Sequence, residues 1–130
     1  LYSCCIETEK EKGFADRLLG IGTSVRDLLD AYTPDAVAIE TLFFNKNIKT
    51  ALGVAQVRGV IMYLAKIARC DVYEFGPQEI KVAVTGYGKS DKTAVVNMVK
   101  RLIPNAPVTA FDDEYDAIAV GITALAHHRV

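Results

Sequence analysis

Three acidic side chains stand where they could hold a hard cation. Glu40 ends the short apolar run 36–40 (AVAIE), and Asp113 and Asp116 open the almost wholly apolar run 117–126 (AIAVGITALA). Two aspartates three apart share one face of a helix, so Asp113 and Asp116 repel each other. A helix N-terminus offsets part of that repulsion, and a divalent cation would offset more. A carboxylate at the end of a buried strand also needs a partner, because an isolated ionised group there is costly. Oxygen ligands of this kind suit Mg²⁺ or Mn²⁺ rather than zinc. Blander readings stay open: the aspartates could cap the helix and complement its dipole, and Glu40 could pair with a lysine.

These residues need elements to position them. The start, 1–7 (LYSCCIE), reads as a short strand and the charged stretch 8–14 (TEKEKGF) as a turn. Helical spacing of Leu18, Leu19, Val25, Leu28 and Leu29 predicts a helix from near Asp16 to Ala31, stopped at Thr33, Pro34 and Asp35. Residues 36–40 read as a buried strand, followed by a loop with Phe43, Phe44, Asn45 and Asn47 and a long apolar helix from about Thr50 to Ala68. Residues 71–75 (DVYEF) read as the next strand, and the strand, helix, strand order predicts an α/β sheet. Gly76 and Pro77 open a short helix that Gly86 closes, residues 86–89 (GYGK) read as a mobile linker, and Ser90 and Asp91 cap a helix reaching Leu102. After Pro104 and Pro107 the last helix starts near Asp113, apolar nearly all round and so expected to be buried. His127 and His128 at its end read as a cap or tail rather than as ligands.

With 51% hydrophobic residues, a 130-residue chain has enough apolar material for one domain with a core and too little for two. The net charge of -1 gives no global bias toward polyanions. Locally the pattern differs: residues 41–101 carry ten basic and four acidic side chains, against five and twelve in the flanks together. A polyanion-binding face beside a carboxylate cluster would give this pattern. Cys4, Cys5 and Cys70 form no disulfide framework or zinc spacing, which fits a reduced cytoplasmic setting. No apolar run of membrane-spanning length is expected, so no membrane partner is either.

In order and spacing, several stretches resemble the RuvC family of Holliday-junction resolvases. They are residues 35–44 (DAVAIETLFF), 51–60 (ALGVAQVRGV) and 72–75 (VYEF), then Ile80, Lys81, Gly86, Tyr87, Gly88 and Lys92, and finally 113–119 (DEYDAIA). The resemblance implies an RNase H-like mixed sheet flanked by helices, in a single domain over 1–130. It also implies a two-fold homodimer that cuts four-way junction DNA symmetrically, beside a branch-migration helicase. Glu40, Asp113 and Asp116 become three of four acidic ligands for two Mg²⁺ ions, with Mn²⁺ as the substitute. Lys81 and Lys92 match basic residues near the cut phosphate. Phe43 matches an aromatic that stacks on junction bases, with Phe44 beside it as a second contact or as core packing. Lys46, Lys49 and Lys89 are assigned to the DNA backbone.

The departure is at the front. The family pattern starts with a strand carrying Gly-Ile-Asp-Pro-Gly, whose Asp is the fourth ligand, and these 130 residues contain no such motif. The sequence is therefore expected to lack the first strands of the fold. Two rival functions follow: a catalytically inactive DNA-binding relative, and a dimerising module built on the apolar helix from Thr50. Against the second, a dimerising module has no need for Glu40, Asp113 and Asp116 together.

Overall fold

A computed structural model describes residues 2–41 and 48–128. Phe43, Phe44 and Lys46 lie outside the described residues. The chain forms two compact units, one spanning Ile6–Tyr73 and the other made of Glu74 onward with the first five residues.

In the first unit, α1 (Phe14–Tyr32) ends where Thr33 turns left-handed at φ 41° and donates its N–H to Leu29 O at 2.9 Å. Pro34 follows, with no N–H to carry the helix on. Strand β1 (Ala36–Glu40) leads to α2 (Ile48–Ile67) and then to β2 (Asp71–Phe75), which pairs with β1. Asp71 N–H opens that pairing on Asp35 O at 2.9 Å. The strands are parallel, and α2 is the crossover that parallel strands require. The end of α2 is a Schellman turn: Arg69 N–H reaches Lys66 O, Cys70 N–H reaches Ala65 O, and Arg69 is left-handed at φ 61°. Leu29, Ala65 and Cys70 form the core, walled by Val25, Val37, Leu64 and Val72. Helices α1 and α2 approach closely at Gly22, where an added Cβ would sit 3.1 Å from Val60 Cγ1.

Three expectations are corrected in this part of the chain. The strand expected at 1–7 does not form over the described residues 2–7, since an extended segment counts as one only when a neighbour completes its hydrogen bonds, and the two described strands pair with each other. Strand β1 is half-buried rather than buried, with both ends exposed, because a two-stranded sheet leaves an edge on each strand. Helix α2 is, by length and composition, apolar enough to cross a membrane. However, Lys49, Arg58 and Lys66 are spread along it, and it packs on α1.

The second unit clusters three helices: α3 (Pro77–Thr85), α4 (Lys92–Leu102) and α5 (Asp112–His127), each packed on the other two. Phe75, Ile80, Val84, Val95, Val99, Tyr115, Ala119 and Val120 supply its buried side chains. Pro77 opens α3 at a position that needs no N–H, and Glu79 reaches back to the Gly76 N–H at 3.2 Å. Helix α5 is amphipathic rather than buried all round: Tyr115, Ala119, Val120 and Thr123 face inward, while Ala117, Gly121 and Leu125 are exposed. Only the side turned to α3 and α4 is covered.

Candidate nuclease site on the second unit

The first turn of α5 presents the acids. Asp112 and Asp113 are exposed and Asp116 is half-buried, one turn along. No side chain caps this helix end, since Phe111 occupies the cap position, so its N–H dipoles and the acids complement each other directly. Tyr115 stands between the two predicted ligands, is 4% exposed, and donates its phenol to Pro107 O at 2.7 Å. Lys100 of α4 lies 5.5 Å over the same ring. The ring thus ties the acidic turn to the loop before it and to α4.

Lys92 opens α4 and reaches across to α5. Its Nζ lies 2.9 Å from Asp116 Oδ2, with about half of the lysine side chain still exposed. Asp91 fixes the start of α4 by accepting the Ala94 N–H at 2.8 Å, and this sets where Lys92 begins. The Lys92 ammonium is held protonated above its ordinary value, chiefly by its hydrogen bond to Asp116; burial opposes this, and the fields of Asp116, Asp112 and Asp113 add to it. One positive charge therefore already stands among three carboxylates.

The turn between α3 and α4, whose two glycines predict a mobile linker, is crossed by hydrogen bonds of the Thr85 side chain. Gly86 adopts φ 81°, which favours glycine, and donates to Val82 O. Thr85 Oγ1 lies 2.8 Å from Lys81 O, accepts the Tyr87 N–H at 3.1 Å, and is 3.0 Å from Ser90 Oγ. Having one hydrogen, the threonine donates to the nearer carbonyl and leaves the serine hydroxyl to donate in return. Ser90 is buried here and does not cap α4. Lys81 is half-buried on α3 and Lys89 is exposed on the turn.

Of the predicted site residues, Lys92, Asp113 and Asp116 come together on this unit. Glu40 belongs to the other unit, at the exposed end of β1, so the desolvation argument for its needing a partner does not apply in this conformation. Lys49 is exposed on the first turn of α2. Sequence reasoning passed over Tyr115 and Thr85. An aromatic flanked by acids in a first turn and a hydroxyl just before a glycine were their signals. His127 is more than a tail: its ring lies 5.2 Å from the Phe75 ring and its Nδ1 is 2.9 Å from Thr123 O.

The chemistry of the acidic turn fits a hard cation in part. Asp113 and Asp116 offer oxygen donors, and the Lys92 ammonium shows that a positive charge is accommodated there. Among the described residues no three His, Cys, Asp or Glu side chains are gathered closely enough to hold an ion. Further ligands must join the two aspartates.

Residues 1–124 match the family described as crossover junction endodeoxyribonuclease RuvC. The RuvC protein of Halothermothrix orenii is 43% identical over 117 residues, covering 90% of this chain and 71% of the relative. That of Ruminiclostridium cellulolyticum is 41% identical over 125 residues, covering 96% and 75%. The structure of Thermus thermophilus RuvC in complex with a Holliday junction substrate superposes with a TM-score of 0.91 at 27% identity, covering 98% of this chain and 77% of that one. The fold is therefore of the RNase H-like α/β type, and the chain belongs to the RuvC family of crossover junction endodeoxyribonucleases.

Proposed function

We propose that this chain acts on Holliday junctions as a metal-dependent endonuclease of recombination and repair, cutting symmetrically as a two-fold homodimer in the cytoplasm. The observation that carries the reading is the acidic first turn of α5 with Lys92 held against it, in a chain that superposes on a relative solved with a junction. Glu40, Asp113 and Asp116 serve as ligands for Mg²⁺, with Mn²⁺ as the substitute and two ions in the complete site. Such ions, when bound, align water and neutralise charge on the phosphate.

The chain's own residues do the rest. Lys81 and Lys92 add positive charge where it grows in the transition state. Lys46, Lys49 and Lys89 hold the DNA backbone, and Phe43 with Phe44 stacks on unpaired bases. The 130 residues act as one domain, and a branch-migration helicase supplies the junction. Exposed Leu52, Val54 and Tyr63 on α2 support the dimer. In contrast, Ala65 and Leu64 on the same helix are turned to the core of their own unit.

A second reading, an inactive junction-binding or dimerising module, is favoured by one sequence fact: these residues hold three of the four implied carboxylates. We infer that the 130 residues alone do not cut, because one of the four carboxylates that would hold the two ions is missing from them. The test is a labelled four-way junction with Mg²⁺ or EDTA. Extending the chain with a strand bearing the Gly-Ile-Asp-Pro-Gly motif should bring Mg²⁺-dependent nicking, and Glu40→Gln, Asp113→Asn or Asp116→Asn should then abolish nicking with binding largely kept. Robust cutting by the 130 residues would show that the ligand set is wrong. Junction binding without cutting by the extended chain would favour the inactive module.

A further inference from the structure

We propose that Lys92 is a competitor for the cation site as well as a residue of the catalytic face: its ammonium occupies Asp116 when no divalent ion is bound and must release it for one to bind. The inference rests on the reading that Asp113 and Asp116 are metal ligands. Geometry carries it. Lys92 Nζ is 2.9 Å from Asp116 Oδ2, close enough to take the oxygen that a hard cation would need. Two elements fix this encounter: the Asp91 cap sets the start of α4, and the buried Tyr115, bonded to Pro107 O, sets the first turn of α5.

The exchange is feasible because the ion pair is not sealed. The side chains of Lys92 and Asp116 are 51% and 40% exposed, and water can solvate the departing ammonium. Lysine suits the role, being a compact point charge on a flexible stem, whereas a guanidinium would hold a carboxylate with two parallel hydrogen bonds. Once released, the ammonium remains on the first turn of α4, free to turn to an anionic phosphate. One lysine thus serves two partners in succession: Asp116 without the metal, the DNA phosphate with it. Its charge near the acids would also restrain their mutual repulsion before any metal arrives.

The test measures metal binding directly, with no DNA and no turnover. Mn²⁺ is titrated into the 130-residue chain and its free concentration followed by electron paramagnetic resonance. Lys92→Met should tighten Mn²⁺ binding about two- to fivefold, the scale of an exposed ion pair. Lys89→Met removes the same charge from the neighbouring turn and should leave the affinity unchanged. Independently, the side-chain ¹⁵N signal of Lys92 should shift on addition of Mg²⁺, while that of Lys100 stays in place. Unchanged or weaker binding by Lys92→Met, equal tightening by both variants, or a Lys92 signal indifferent to Mg²⁺ would each overturn the proposal. Mn²⁺ binding insensitive to Asp113→Asn and Asp116→Asn would instead overturn the ligand assignment beneath it.

Discussion

The phenol of Tyr115 and the carbonyl of Pro107 are joined at 2.7 Å, so a buried ring on α5 is hydrogen-bonded to the loop that delivers the chain to that helix. Asp113 and Asp116 are placed on either side of this anchor. Tyr115→Phe keeps the ring and loses the hydrogen bond, which should cost about 1 kcal/mol of stability. Tyr115→Ala should cost about 3–5 kcal/mol through the cavity it leaves. Urea unfolding followed by circular dichroism measures both, and equal losses for the two variants would show that the ring packing contributes nothing.

Thr85→Val should loosen the turn between α3 and α4. The variant keeps the shape of the threonine but removes the acceptor for the Tyr87 N–H and the partner of Ser90. A loss of about 1–2 kcal/mol is expected, with faster hydrogen exchange at the Tyr87 amide before any change at Val99. Uniform acceleration across the unit would argue for general destabilisation instead.

Gly22 separates two effects that normally travel together. Alanine gains about 1 kcal/mol of helix propensity over glycine, but its Cβ would meet Val60 Cγ1 at 3.1 Å. Gly22→Ala should therefore be near neutral, and Gly22→Leu should destabilise by about 1–3 kcal/mol through overpacking. Thermal melts of the pair decide it; a stabilising Gly22→Leu would mean that α1 and α2 are free to part.

The lysines should divide by role in the motif-extended chain. Lys81→Ala and Lys92→Ala should lower cleavage more than junction binding, because their charge acts on the transition state. Lys46→Ala and Lys49→Ala should lower binding and flatten its dependence on salt. Electrophoretic binding assays at several salt concentrations, beside single-turnover cleavage, distinguish the two sets, and four variants affecting binding alone would remove the distinction.

Much of the fold was legible because its signals are local. The predicted helix from Asp16 to Ala31 corresponds to Phe14–Tyr32, and both predicted strands at 36–40 and 71–75 are present. Breakers at Thr33, Pro34, Gly76 and Gly86 act as chain chemistry requires. Other errors were tertiary in origin. Whether residues 2–7 form a strand depends on a neighbour that their own sequence cannot supply. Whether the glycines at 86 and 88 loosen their turn depends on Thr85 and Ser90, whose hydroxyls meet across it at 3.0 Å. The acids of α5 were legible as a constellation by type and spacing. The reach of Lys92 to Asp116 spans 24 positions and could not be read from either stretch alone.

The end of α2 carries a chemical clock. Cys70 is fully buried and its thiol donates to the Pro34 carbonyl at 3.2 Å, whereas Cys4 is exposed and Cys5 partly so. A thiol reagent offered to the native protein will modify Cys4 at once and Cys70 only during those moments when α2, the Schellman turn and the segment at Pro34 separate. The lag between the two modifications, read by mass spectrometry, times the breathing of the unit that carries β1 and Glu40, without any substitution or label.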